Sequence, residues 1–146
     1  MLTGFRFVHP VELRFSDLDA MGHVNNAVYL TYLESARIAW WAHVTGSGDP
    51  AELRMILARA EIDYRSPARF DDRPVVGVRC ASLGRSSFVL DFRIEDARGG
   101  RLLAEAKKVL VYYDYATRRP APLPAALRSG ILAQDPDARG QAAAGA

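Results

Sequence analysis

The chain has 146 residues, 49% hydrophobic and 25% charged, with a formal net charge of +2. That composition fits a single globular domain with a sizeable core, and the charge is too small to argue for nucleic acid. One cysteine, Cys80, excludes an internal disulfide and a multi-thiolate metal site. No apolar run approaches the roughly 18 residues of a membrane span, and the start carries no long apolar signal region. The cytoplasm is therefore the default compartment.

Val11, Leu13 and Phe15 alternate with Glu12, Arg14 and Ser16, which predicts a short half-buried strand entered after Pro10. A turn with two carboxylates, Asp17 and Asp19, follows, then Gly22, His23 and the amide pair Asn25 and Asn26. Either asparagine can cap the next element, a helix predicted from about Asn26 to Val44. Its apolar stripe is Tyr29, Leu33, Ala36, Trp40 and Val44, widened by Leu30 and Trp41, and Gly46 and Gly48 are its stop signals.

The rest reads mostly as strand. Ala58, Ala60, Ile62 and Tyr64 alternate with charged residues up to Pro67, and Pro74 to Leu83 is apolar and rich in valine. Gly84, Arg85 and Ser86 make a turn. Phe88, Leu90, Phe92 and Ile94 then form the clearest alternation in the chain. Arg98-Gly99-Gly100 turns into a long strand, Leu102 to Asp114, with Val109, Val111 and Tyr113 on one face and Ala106, Leu110 and Tyr112 on the other. Pro120, Pro122 and Pro124 break the pattern before a short helix at Ala125 to Ser129. The expected organisation is one domain over residues 1–132 and a disordered tail over 133–146. The order predicts an α+β fold in which a five-stranded antiparallel sheet wraps one long central helix.

The chemistry gathers where the acidic turn meets the helix. A helix start directs free N–H groups and partial positive charge outward, a place to hold a carbonyl oxygen. A carboxylate beside a polarised carbonyl is the minimum equipment for acyl transfer. Asp19 is the candidate catalytic carboxylate, with His23 as a candidate second acid–base group and Asn26 as an orienting group; Asp17 is read as holding the turn.

Other readings of these residues compete. A calcium loop beginning at Asp17 would need an oxygen ligand at its fifth position and Glu at its twelfth, which are Met21 and Val28. A D-x-D magnesium site for nucleotide sugars would want alternating α/β units, which are absent from the pattern. No G-x-S-x-G elbow exists for a serine hydrolase. Cys80 is expected to be a small buried residue.

The pattern D-x-D-x-x-G-H-V-N-N-x-x-Y, here Asp17, Asp19, Gly22, His23, Val24, Asn25, Asn26 and Tyr29, resembles the 4-hydroxybenzoyl-CoA thioesterase branch of the hotdog-fold acyl-CoA thioesterases. Three later stretches agree: EIDYRSPARFDD, LGRSSFVLDF and YDYATRRPAPLP. The resemblance spans roughly residues 9 to 128. It implies the hotdog fold and hydrolysis of an acyl-CoA to acid and CoA. It implies Asp19 as base or nucleophile and the backbone N–H at Asn26 as the oxyanion donor, where relatives carry a histidine or an aromatic residue. It implies no metal, and a homodimer or homotetramer with sites at the subunit interface; no cofactor and no membrane partner are expected either. Tyr29, Arg65, Arg85, Ser86 and Ser87 are the candidate substrate-binding residues, and Arg69, Arg118 and Arg119 are further cations for the CoA phosphates. Hydrolysis of acyl groups on acyl carrier protein, a non-catalytic acyl-binding role, and a hydratase using Asp19 and His23 are the alternatives.

Overall fold

The computed structural model describes residues 2–138. In chain order the elements are β1 (Phe7–Pro10), a 3-10 turn (Phe15–Asp17), α1 (Asn26–Thr45), a second 3-10 turn (Pro50–Glu52), β2 (Met55–Tyr64), β3 (Pro74–Leu83), β4 (Ser87–Asp96), β5 (Arg101–Asp114), β6 (Arg119–Pro120) and α2 (Ala125–Gln134). The strands form one antiparallel sheet in the order β1-β3-β4-β5-β2, with β6 paired to β5. One long helix accompanies it, as the alternating pattern predicts.

Six strands stand where five were expected, and the first lies earlier in the chain. β1 pairs with β3 from Phe7↔Val78 to Pro10↔Val75, and the Val11 N–H adds one more bond to the Pro74 carbonyl. Pro10 thus ends the strand instead of preceding it, which an edge position permits. Phe15, expected to face the core, lies on the 3-10 turn and is 78% exposed. β6 is the added strand, a two-residue return against Tyr113 and Asp114 that its prolines concealed.

Two compact units make up the described chain. The first takes the chain through Trp40 together with Ile62–Val78 and Phe92–Ala106. Its core holds Leu33, Ala36 and Trp40 of α1 with Val76, Val78, Phe92, Ile94 and Leu103 of the sheet, all buried. The second takes Trp41–Glu61, Arg79–Asp91 and the chain from Lys107 on. Its core includes Trp41, Met55, Cys80, Phe88, Leu90, Leu110, Leu127 and Ile131. Burying such side chains is worth about 1.5–3 kcal/mol each.

α1 ends one residue beyond the expected Val44. Gly46 takes a positive φ of 70° and its N–H bonds to the Ala42 carbonyl, the left-handed stop that glycine adopts without steric cost. Leu30, expected on the buried stripe, is instead exposed. α2 runs five residues past Ser129, and order continues beyond it: Asp135 and Ala138 are both buried. The remainder of the tail expected to be disordered, 139–146, lies outside the described residues. β2 departs furthest from its alternating pattern. It is exposed along nearly its whole length, Ile56 and Leu57 included, and it stands at one end of the strand order.

Candidate active site

The acidic turn is built by two carboxylates with different tasks. Asp17 is buried, only 2% exposed, and its bonds hold the chain together. Its Oδ2 accepts the Tyr32 hydroxyl at 2.7 Å and the Arg14 N–H at 3.0 Å, and its Oδ1 accepts the Arg14 guanidinium at 3.0 Å. Burial pushes its carboxyl upward, but the Arg14 N–H, the Tyr32 hydroxyl and the Arg14 charge outweigh burial and hold it below its ordinary value. Burial and Asp17 together push the Tyr32 hydroxyl up.

Asp19 sits at the base of a small hairpin. Its N–H bonds to the His23 carbonyl at 2.8 Å, and the Gly22 N–H returns to the Asp19 carbonyl at 3.1 Å. Gly22 makes this turn with a φ of 77°. Oδ1 of Asp19 accepts the N–H groups of Met21 at 2.9 Å and His23 at 3.4 Å. Oδ2 has no hydrogen-bond partner among the described residues. The hairpin is tied to the 65–72 segment by the bridge His23↔Arg69 and by the Val24 N–H on the Ala68 carbonyl.

The adjacent asparagines divide the work at the helix start. Asn25 is the cap: its Oδ1 accepts the Ala27 N–H at 2.9 Å, and its own N–H bonds to the Asp17 carbonyl at 2.8 Å. That leaves the N–H of Asn26, the first residue of α1, without a partner among the described residues. The Asn26 carbonyl accepts the Tyr64 hydroxyl at 3.0 Å. Tyr29, one turn on, is buried and takes the Ala68 N–H on its own hydroxyl at 3.1 Å; its ring meets Tyr64 edge to face at 5.1 Å. Burial raises the Tyr29 hydroxyl above its ordinary value.

Asp19, His23, Asn26, Tyr29 and Arg65, five of the expected site residues, line one cavity of about 370 Å³, together with Met21, Val24, Tyr64, Ser66 and Pro67. Arg65 is exposed and faces two carboxylates, Glu105 at 3.2 Å and Asp63 at 3.7 Å. Arg85, Ser86 and Ser87 belong to the second unit and do not line this cavity. Their carbonyls organise the β3–β4 turn region, accepting the N–H groups of Leu123, Tyr112 and Gly84 respectively. Arg118 and Arg119 also belong to the second unit, and Arg118 takes a positive φ of 56° at the β5–β6 turn.

A family model described as the thioesterase-like superfamily matches residues 13–131. The chain belongs to the thioesterase-like superfamily. Acyl-CoA thioester hydrolase YbgC of Escherichia coli is 30% identical over 125 residues, covering 84% of this chain and 91% of YbgC. The 1,4-dihydroxy-2-naphthoyl-CoA hydrolase of Synechococcus elongatus is 29% identical over 124 residues, covering 82% and 90%. A thioesterase from Thermus thermophilus, solved in complex with coenzyme A and Zn, is 40% identical, covers 96% of this chain and 100% of its own, and superposes with a TM-score of 0.83. This member of the thioesterase-like superfamily has the hotdog fold and is a thioester hydrolase, as the loop motif implied.

Arg101 is the contributor that the sequence pattern of this superfamily member did not reveal. Its guanidinium grips Ser66 Oγ at 3.1 Å, the Pro67 carbonyl at 2.8 Å and Asp72 Oδ2 at 2.5 Å, fixing the segment that contributes Ser66 and Pro67 to the cavity lining. The bond to Asp72 raises its pKa further. Its only sequence signal was a charge at the start of a strand after a Gly-Gly turn. No helix of the described residues is long and apolar enough to cross a membrane, and among them no group of three or more His, Cys, Asp or Glu is placed to hold a metal ion.

Proposed function

We propose that the cavity hydrolyses acyl-CoA thioesters to free acid and CoA, with Asp19 as the reacting carboxylate and the Asn26 N–H as the oxyanion donor. One observation carries this reading: an unpartnered carboxylate oxygen and an unpartnered helix-start N–H belong to residues lining the same cavity. The thioester carbonyl oxygen lies on the Asn26 N–H, and charge grows on it as the carbonyl is attacked. One such donor is typically worth about 3 kcal/mol in the transition state.

Asp19 acts in one of two ways. As a base, it takes a proton from water as the water oxygen bonds to the carbonyl carbon; the C–S bond then breaks and the CoA sulfur leaves with a proton. As a nucleophile, its Oδ2 bonds to the carbonyl carbon, CoA leaves, and water hydrolyses the mixed anhydride. His23 stands beside either path on the cavity wall. Tyr29 walls the acyl group, and Arg65 shares its charge between its carboxylates and a CoA phosphate. The capping role of Asn25 frees Asn26 from the alternative of being only a cap.

The working unit in this reading is a twofold homodimer, which can assemble further into a tetramer. β2 supports it: an end strand exposed on both faces presents unpaired backbone groups and apolar side chains that a second copy would cover. Light scattering at catalytic concentration tests this, and a monomeric mass with full activity contradicts it.

The reaction is tested with a panel of acyl-CoAs and a thiol-detecting reagent, run beside the same acyl groups on acyl carrier protein. The expected result is CoA release with at least one acyl class. Turnover only on carrier protein would move the activity to that substrate. Tight acyl-CoA binding without release of CoA would make this a binding protein.

A further inference from the structure

Tyr64, the last residue of β2, is not part of the loop motif, yet it lines the Asp19 cavity and reaches the helix start. Its hydroxyl donates to the Asn26 carbonyl at 3.0 Å. The same peptide plane is held at its other end, where the Ala27 N–H donates to Asn25 Oδ1 at 2.9 Å. One rigid plane, from the Asn26 carbonyl to the Ala27 N–H, is thus gripped by two side chains from distant parts of the chain.

The grip isolates one donor. Asn25 gives its N–H to the Asp17 carbonyl, and the Val28 N–H bonds to the Asn25 carbonyl at 3.0 Å. With Ala27 held by Asn25 Oδ1, the Asn26 N–H alone among residues 25–28 has no acceptor among the described residues. It stands between two fixed segments, the anchored Asn25 before it and the gripped plane after it, so its direction is set by both.

The Tyr64 side chain is itself braced. Its ring meets the Tyr29 ring edge to face, 5.1 Å apart with the planes at 87°. Tyr29 is buried and accepts the Ala68 N–H on its hydroxyl, and the Ala68 carbonyl accepts the Val24 N–H at 2.8 Å. The contacts therefore run from the end of β2 through Tyr29 and Ala68 back to the turn that enters α1. Tyr64 is also 46% exposed, so water competes for its hydroxyl and the bond adds little to the stability of the fold.

We infer that Tyr64 is a positioning residue for thioester hydrolysis: its hydroxyl holds the Asn26–Ala27 peptide so that the Asn26 N–H is aimed at the developing oxyanion. The hydroxyl acts through Asn26 and makes no bond to the substrate. The inference rests on the oxyanion role proposed for Asn26. A donor aimed at charge that develops in the transition state acts on kcat and leaves the binding of the ground state nearly alone.

Tyr64→Phe removes the hydroxyl and keeps the ring against Tyr29. In this variant kcat should fall about tenfold, with KM within about twofold of the unaltered protein's and the unfolding midpoint unmoved. The fall should be the same for every acyl group hydrolysed, since all of them share the carbonyl. Hydrogen exchange of the Ala27 amide, which shares the gripped plane, should quicken by about threefold or more. An unchanged kcat overturns the inference, as does unchanged exchange at Ala27. A raised KM at unchanged kcat would make the hydroxyl a substrate contact, and a fall in kcat with a lowered midpoint would make it a stabilising one; either overturns the positioning role. All of these outcomes leave the hydrolase reading standing, because the unaltered protein still releases CoA. No hydrolysis of any acyl-CoA by the unaltered protein overturns both.

Discussion

The acidic turn of the first unit and the α2 region of the second are both rich in polar groups, yet they spend them differently. Around α2 the polar groups are engaged in holding the chain. Asp135 Oδ2 accepts the Cys80 N–H at 2.9 Å, Gln134 meets His43 at 2.7 Å, and the Arg128 guanidinium donates to the Gly84 carbonyl at 2.7 Å. At the acidic turn Asp17 and Asn25 are consumed in the same way, and beside them Asp19 Oδ2 and the Asn26 N–H are left over. A site is marked by polar groups that folding leaves available, more than by their presence. Two carboxylates two residues apart thus end up with different partners, because only one of them reaches Tyr32 and Arg14.

The largest effect on stability is expected where the acidic turn is held. Asp17→Ala leaves the buried Tyr32 hydroxyl and the Arg14 N–H without their acceptor, a loss of about 3 kcal/mol, or roughly 10 °C in Tm. Thermal unfolding followed by circular dichroism measures it. The sign with pH follows from the lowered carboxyl of Asp17. Its contribution is fully present above the unfolded value of about 3.9 and is lost as the pH falls from there through the lower folded value. Unfolding midpoints should therefore drop more steeply below about pH 4 in the unaltered protein than in Asp17→Asn.

A smaller effect is expected at the α2 crossing. A Cβ on Gly130 would lie 2.3 Å from the Val44 carbonyl oxygen, so one helix must move. Gly130→Ala should cost about 2 kcal/mol by denaturant titration. Equal stability of this variant and the unaltered protein would show that the crossing is looser than the geometry requires. The smallest expected effect is at Cys80. Burial, and after it the charge of Asp135, push its thiol up to about 12. The folded protein should therefore not react with a thiol reagent at about pH 8, and it should react fully once denatured.

Local pattern made much of this legible. α1, β3, β4 and β5 fall within a residue or so of their expected bounds, because periodicity and turn glycines are written in neighbouring residues. The misplaced pieces are those decided by distant partners. β1 is fixed by pairing with β3, far along the chain, and the shift strands Phe15 outside the core. β2 alternates as if one face were covered, yet neither face is in a single chain. Within the site, Asp19 and the helix start were visible as a motif. Which of Asn25 and Asn26 caps the helix was not, since both have the chemistry and only the fold assigns the bond. The Arg101 clamp and the Asp17–Tyr32 bond join segments that nothing in the local sequence connects.

The proposed chemistry depends most directly on Asp19. Asp19→Asn keeps the side-chain shape and its acceptor at Oδ1, and removes the charge from Oδ2. The measurement is kcat for the preferred acyl-CoA, taken with the unfolding midpoint of the same preparation. The expected result is a fall of roughly two or more orders of magnitude with the midpoint nearly unmoved. Unchanged turnover in a folded Asp19→Asn protein would contradict the role given to this carboxylate.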